Sequence, residues 1–294
     1  MDQTINFLRL SEQRSWPMWL AAPLMRFMVE SVRLKRSFGQ VLSTNHVLFD
    51  GLGEGCRKIK EGAASWRALE IIYNHKGSSL ADWFWIGFMR NAQAVRNRKR
   101  IIVRKLRMKA LEIARRKGNV KVLSLASGSA QAVFEALKNF SFPLEVKLID
   151  IDKEAGEYAL KLSHEYRLGS VVSFMRGNML KFDKPVLLQD FRPDIIEMAG
   201  LLDYLRDDEA VALIKRIYAQ LPPGGTFITC HIHDNPERDF MTEVINWGRD
   251  DGRQRPMLYR TQDELVKLVH EGGFNTIVVY VEKHEIHSVA VAQK

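Results

Sequence analysis

Short apolar runs alternate with helically spaced segments through the second half of the chain. Residues 122–126 (VLSLA) are a compact apolar run that suits a strand covered on both faces. Ser127-Gly128-Ser129-Ala130 follows as a tight turn of small residues, and residues 132–137 return to helical spacing. Residues 144–149 are again apolar and rich in strand formers, with Asp150 at their carboxyl end. The rhythm continues with strands predicted at 171–175, 194–198 and 226–232. Helices are predicted at 207–220, stopped by Leu221-Pro222-Pro223-Gly224-Gly225, and at 262–270, stopped by Gly272-Gly273. Two last strands, 276–281 and 286–292, are joined by Glu282-Lys283-His284-Glu285. That link is too short for a parallel crossover, so these two must pair antiparallel. The first ~90 residues read as helices broken at Gly51, Gly53, Gly55, Gly62 and Gly77, giving a cap over the carboxyl edge of the sheet. The pattern predicts an α/β fold, with a helical cap over 1–90 and a sheet domain over 91–294.

Chemistry enters at Asp150. An acid at the end of the second strand, about 20 residues after a small-residue turn, can accept both hydroxyls of a ribose. A dinucleotide would require G-x-G-x-x-G, of which only Gly128 is present, and the phosphate-binding G-x-x-x-x-G-K-[ST] pattern is absent. S-adenosylmethionine carries no phosphate, and its methionine tail tolerates a turn of Ala and Ser. Ala126, Ser127, Gly128 and Ser129 are therefore expected along the methionine half, with Asp150 at the sugar and Ile151 also at the cofactor. Asp152 is either a second ribose ligand or a helix N-cap.

With these features in place, the chain resembles the class I S-adenosylmethionine-dependent methyltransferases over about residues 90–294. AGLLDYL (199–205), HIHDNPERDFMTEVINW (231–247), PMLYRT (256–261) and NAQAVRNR (91–98) are similar to bacterial members grouped with 3-hydroxy fatty acid methyl ester synthases. The resemblance implies a Rossmann-like seven-stranded sheet of order 3-2-1-4-5-7-6 with one antiparallel strand. It also implies that Asn178 meets the adenine amino group and Met179 flanks the ring. The reduced glycine loop and an insert at 248–255 depart from the pattern, and the insert bears on the acceptor pocket.

The remaining candidates follow from position. Ala199 and Gly200, after the fourth strand, leave room for the sulfonium; Glu197 before them reads as a cofactor-side or a satisfied buried acid. Asn91, Arg96 and Arg98 precede the core, and either arginine could clasp the methionine carboxylate bidentately. Tyr204, His231, His233, Trp247, Tyr259 and Arg260 lie in loops expected to form the acceptor pocket. A carboxylate acceptor would need only an orienting cation, Arg260; a hydroxyl would need a base, His231 or His233. These two histidines alternate on a strand end and point to opposite faces, so no metal site is expected. The absence of a clear base constellation, and the resemblance, favour O-methylation of a small-molecule or fatty-acid carboxylate.

Composition adds limits. The chain has 294 residues, 46% hydrophobic and 27% charged, typical of a soluble globular protein. Cys56 and Cys230 are far apart, which excludes a disulfide scaffold and fits a reducing cytoplasm. No signal peptide is evident. The window 16–29 contains Pro17, Pro23 and Arg26 and is shorter than the ~20 residues of a membrane span, so it reads as a helical hairpin, with membrane-surface contact as the alternative. Residues 1–120 carry 23 Lys and Arg against 9 Asp and Glu, although the whole chain is only +9. Much of the excess lies in 96–117, and Val95, Ile102, Leu106, Ala110 and Ile113 fall on one face of the helix that carries it. Its basic residues form either a solvated face or a site for an anionic partner such as RNA, an acyl carrier protein or acidic lipid. Alternatives therefore stay open: an RNA methyltransferase, an enzyme releasing methylthioadenosine, or a non-catalytic S-adenosylmethionine-binding protein.

Overall fold

A computed structural model describes residues 16–38, 46–75, 77–183, 188, 190–248 and 255–294. The alternation of runs resolves into β1 (Val120–Leu125), β2 (Leu144–Asp150), β3 (Val172–Arg176), β4 (Ile195–Met198), β5 (Thr226–Ile232), β6 (Thr276–Val281) and β7 (His287–Gln293). They form a seven-stranded sheet of order β3-β2-β1-β4-β5-β7-β6. Strands β1 to β5 are parallel, and β7 runs antiparallel to both β5 and β6. The central strands β1, β4 and β5 are almost wholly buried, which is why their sequences are continuous apolar runs rather than alternating ones.

Helices cover both faces. Before β1 come α1 (Trp16–Ser37), α2 (Glu54–Glu61), α3 (Trp66–Tyr73), α4 (Leu80–Phe88) and the long α5 (Arg90–Lys117). After it come α6 (Gln131–Leu137), α7 (Lys153–Glu165), α8 (Asp207–Gln220), α9 (Arg238–Glu243) and α10 (Gln262–Glu271). One core lies between the sheet and α8 and α10, centred on Leu123, Phe227 and Phe274. A second lies on the opposite face under α5, α6 and α7. A third joins α1 to α4 with Ile232, Phe240, Trp247 and Ile286, so the amino-terminal helices pack over the carboxyl edge of the sheet.

Two expectations are corrected. The window 16–29 is not a hairpin: α1 runs unbroken through Pro23. Proline removes one helical hydrogen bond there, but Met18, Ala21, Met25, Met28, Val29 and Val32 bury one continuous face of the helix, and that packing outweighs the break. The basic segment is not uniformly solvated either. In its first turns Arg96, Arg98 and Lys99 are buried, because the cap covers this end of α5. The helix start is fixed by Glu237, whose carboxylate accepts from the Arg90 and Asn91 backbone amides at 3.0 and 2.9 Å, a negative charge at the positive end of the dipole. Of the 248–255 insert only Gly248 and Arg255 are among the described residues.

Candidate active site

The small-residue turn after β1 takes an unusual backbone path. Ala126, Gly128 and Ala130 all have positive φ, at 50°, 52° and 53°. Left-handed alanines are disfavoured, and such geometry concentrates where the backbone must meet a ligand. Gly128 is required for a second reason: a Cβ there would lie 3.1 Å from the Trp66 Cβ in the cap. Its amide donates to Asp150 Oδ2 at 2.8 Å, while the Asp152 amide donates to Asp150 Oδ1 at 2.9 Å. Each oxygen of Asp150 is thereby oriented and keeps a lone pair to spare. Burial raises the Asp150 pKa, against the pull of these amide hydrogen bonds. The alternative for Asp152 resolves as the N-cap of α7: it accepts from the Glu154 amide and, at 2.9 Å, from Trp66 Nε1.

Asp150 lies at one end of a cavity of about 380 Å³, bounded by the β1 turn, the ends of β4 and β5, and the cap. This volume is in the range of small-molecule sites. Ala126, Ser127, Gly128, Ser129, Ala199 and Gly200 all line it. Ile151 does too, 57% exposed at the rim. Ser127 Oγ is buried without a hydrogen-bond partner among the described residues.

The floor is polar. Arg98 is buried and lines the cavity; among the described residues its one hydrogen bond is to Tyr73 Oη, at 3.5 Å, and its Nε has no partner. Burial works to lower its pKa, but the acidic groups around it, Cys230, Tyr73 and Asp203, outweigh this and raise it. Glu197 accepts from Ser124 Oγ at 2.6 Å, the two being register partners on β4 and β1. Burial pushes its carboxyl up to about 7, against the opposing effects of that hydrogen bond and of Arg98. Asp203 Oδ1 accepts from the Ile232 amide at 3.1 Å and lies 2.8 Å from His231 Nδ1. Tyr204 accepts from Trp247 Nε1 at 3.1 Å, and both line the cavity. The wall supplied by the cap is apolar: Phe49, Ile59, Trp85 and Ile86 face Met241 and Met257.

Several expected residues are elsewhere. Arg96 donates to the carbonyls of Ile86, Gly87 and Ile72 at 2.8, 3.2 and 3.4 Å; it ties the ends of α3 and α4 to α5 and does not line the cavity. Arg260 is likewise engaged, with the carbonyls of Leu202 and Leu205 and the carboxylate of Asp207. It and Tyr259 border a separate surface depression next to α10, and Tyr259 lies under the Arg238 guanidinium. His233 sits there too, its ring between the Arg260 carbonyl and Ser288 Oγ at 2.7 and 2.5 Å. His231 is fully buried behind Asp203 and off the cavity wall. Asn178 caps its own turn through the Leu180 amide, and Met179 is buried in the core; neither lines the cavity. Nor does the basic helix present a single anion-binding face. Lys99 pairs with Glu135, Lys117 with Asp194, Arg107 holds the Ala136 and Lys138 carbonyls at the end of α6, and Lys105 covers the Tyr280 ring.

Trp66, Tyr73, Asp203 and His287 line the cavity although sequence reasoning did not select them. Asp203 had a signal, since it lies inside the AGLLDYL stretch. His287 had a weaker one, as an imidazole opening an otherwise apolar strand. Trp66 and Tyr73 reach the site only through tertiary packing of the cap.

Sheet order, the acid after β2 and a cavity over the carboxyl ends of the strands define a class I S-adenosylmethionine-dependent methyltransferase. The chain belongs to the family described as "Putative methyltransferase", whose family model matches residues 51–294. Among solved structures it is similar to a "possible exported protein" from Bordetella parapertussis (TM-score 0.70, 18% identity, covering 96% of this chain and 99% of that one). It is also similar to an O-methyltransferase family protein from Burkholderia thailandensis (TM-score 0.54, 15% identity, covering 93% and 71%). At these identities the likeness establishes the fold. "Uncharacterized protein YnbC" of Escherichia coli K12 is 22% identical over 174 residues, 59% of this chain, and the chain spans 29% of that protein's length. Among the described residues no helix is long and apolar enough to cross a membrane.

Proposed function

We propose that the chain transfers a methyl group from S-adenosylmethionine to an oxygen of a small, largely apolar acceptor. The observation that carries this reading is one cavity with an oriented acid at one end, an arginine without an ion pair among the described residues at its floor, and an apolar wall facing both. The donor set fits the cofactor. Asp150 would take the ribose hydroxyls, Ile151 would border the adenine, and Arg98 would take the methionine carboxylate, with Ala199 and Gly200 beside the sulfonium. When bound, S-adenosylmethionine supplies a carbon already activated by its positive sulfur. What remains for the protein is to align the acceptor oxygen and exclude water, and such alignment is worth several kcal/mol, up to roughly 7–11 in ideal cases.

The apolar wall of the cap, with Phe49 and Trp85, closes the acceptor side, while Trp66 covers the β1 turn and Asp152 on the cofactor side. The fatty-acid carboxylate expected from the sequence requires a cation in the cavity. With Arg260 engaged, Arg98 is the one Lys or Arg among the described residues that lines it. Arg98 serves either the methionine carboxylate or that of an acceptor. Cys56 and Cys230, both free and buried, accord with a reducing compartment.

The test is incubation of the purified protein with methyl-labelled S-adenosylmethionine and a metabolite extract. S-adenosylhomocysteine together with a labelled product supports the reading. Methylthioadenosine, or no consumption of the cofactor in the presence of tight binding, replaces it with one of the alternatives.

A further inference from the structure

We propose that α1 pairs with α1 of a second copy of this chain, parallel and in register, as a short two-stranded coiled coil. α1 lies outside residues 51–294 matched by the family model, and two apolar stripes run along it. The first includes Met18, Met25, Met28 and Val32 and is buried in the cap. The second, on another face, is Leu20, Leu24, Phe27, Ser31, Leu34 and Phe38, whose apolar members are 38–75% exposed. Phe38 follows the last helical residue, and its amide still donates to the Leu34 carbonyl at 3.4 Å.

The spacing identifies the partner. Steps along the second stripe are 4, 3, 4, 3 and 4 residues, the a/d repeat of a coiled-coil seam. At 3.6 residues per turn the stripe covers about 80° of the helix circumference. A helix lying in a lipid interface presents a broader apolar face with cations along its polar side. A seam this narrow fits one other helix. Ser31 brings no unpaired donor into it, because its hydroxyl donates to the Met28 carbonyl at 2.8 Å.

The charges beside the seam set its direction. Glu30 and Lys35 flank it on opposite edges, five residues apart, where a g position meets an e position of a parallel helix. Two such pairs form across a two-fold axis, each joining Glu30 to the partner's Lys35. Within its own chain Lys35 makes no ion pair among the described residues, and Glu30 holds only Arg33, at 2.9 Å. An antiparallel pair would instead set Glu30 against the partner's Glu30. Across both copies the seam buries about 600–1,100 Å² of apolar side chain, near the lower edge of a specific interface, roughly 1,000 Å². The dimer should therefore dissociate on dilution. α1 is also tied to α9, through Arg33–Asp239 at 3.0 Å and Arg36–Glu243, and α9 carries Met241 of the acceptor wall.

Sedimentation velocity of the full chain over a dilution series tests this, and should show a dimer giving way to monomer. Phe27→Asp should raise the dissociation constant by about thirtyfold or more, as for loss of a central apolar contact. Its far-UV circular dichroism should be unchanged, since Phe27 is exposed in the single chain. Leu34→Cys should cross-link to its own copy on mild oxidation, and the wild type should not, because Cys56 and Cys230 are buried. In an antiparallel pair position 34 would face position 24, about 15 Å away along the helix. A monomer at every concentration up to the solubility limit, a dimer undiminished by Phe27→Asp, or a dimer in which Leu34→Cys fails to cross-link overturns the assignment. A monomer that cosediments with phosphatidylglycerol vesicles unless it carries Phe27→Asp also overturns it and gives the stripe to a lipid surface.

Discussion

Glu197 offers a quantitative check on the polar floor of the site. It is 5% exposed, it is bonded to Ser124, and burial pushes its carboxyl from 4.5 up to about 7. A raised folded-state pKa means that the folded protein holds its proton more tightly than the unfolded chain. The associated stability is fully present below about pH 4.5 and is lost as pH rises through about 7. At about 1.4 kcal/mol for each tenfold difference in proton affinity, the loss between pH 5 and pH 8 is about 2–3 kcal/mol. Glu197→Gln keeps an acceptor for the Ser124 hydroxyl and removes the titration. His46, His233 and His287, whose pKa values are all lowered chiefly by burial, contribute with the opposite sign and lose stability as pH falls. Their contribution is shared by both proteins and cancels in the difference. Urea unfolding of wild type and variant at pH 5 and pH 8 should therefore show the variant gaining about 2–3 kcal/mol relative to wild type at the higher pH. An equal difference at both pH values would mean that Glu197 ionises normally and that the floor is wetter than the structure shows.

Two further predictions concern the arginines. Arg98→Met should weaken S-adenosylmethionine binding by about 1.5–3 kcal/mol, the range for a hydrogen bond to a charged group; calorimetry on the folded variant reads it, and unchanged affinity would assign Arg98 to the acceptor instead. Arg260→Ala should lower unfolding free energy by about 2–4 kcal/mol through the orphaned Leu202 and Leu205 carbonyls while leaving cofactor affinity intact; a stable variant with altered acceptor binding would restore Arg260 to the acceptor pocket.

The sheet was legible because each buried parallel strand is a short apolar run and each crossover carries helical spacing. The antiparallel last pair followed from a four-residue link, 282–285, that no helix could span. The turn after β1 was legible from its small residues and from the acid at 150, although left-handed geometry at Ala126 and Ala130 was not, since alanine is an unexpected residue there. What could not be read was which of many polar residues face inward. Arg96 and Arg98 are two residues apart on one helix; one binds three main-chain carbonyls and the other opens on the cavity, a difference set by where α3 and α4 end. Arg260 lies in a segment expected at the acceptor pocket, and the Leu202 and Leu205 carbonyls claim it. His287, which lines the cavity, was obscured by His231 and His233, which sit in a more conspicuous motif.

Titration calorimetry of S-adenosylmethionine against wild type and Asp150→Ala tests the central claim most directly. The account predicts one molecule bound per chain, and an affinity lower by about 1–3 kcal/mol in the folded variant, as ribose hydroxyls lose a buried charged acceptor. Absence of binding to the wild type, or the same affinity in both proteins, would contradict it.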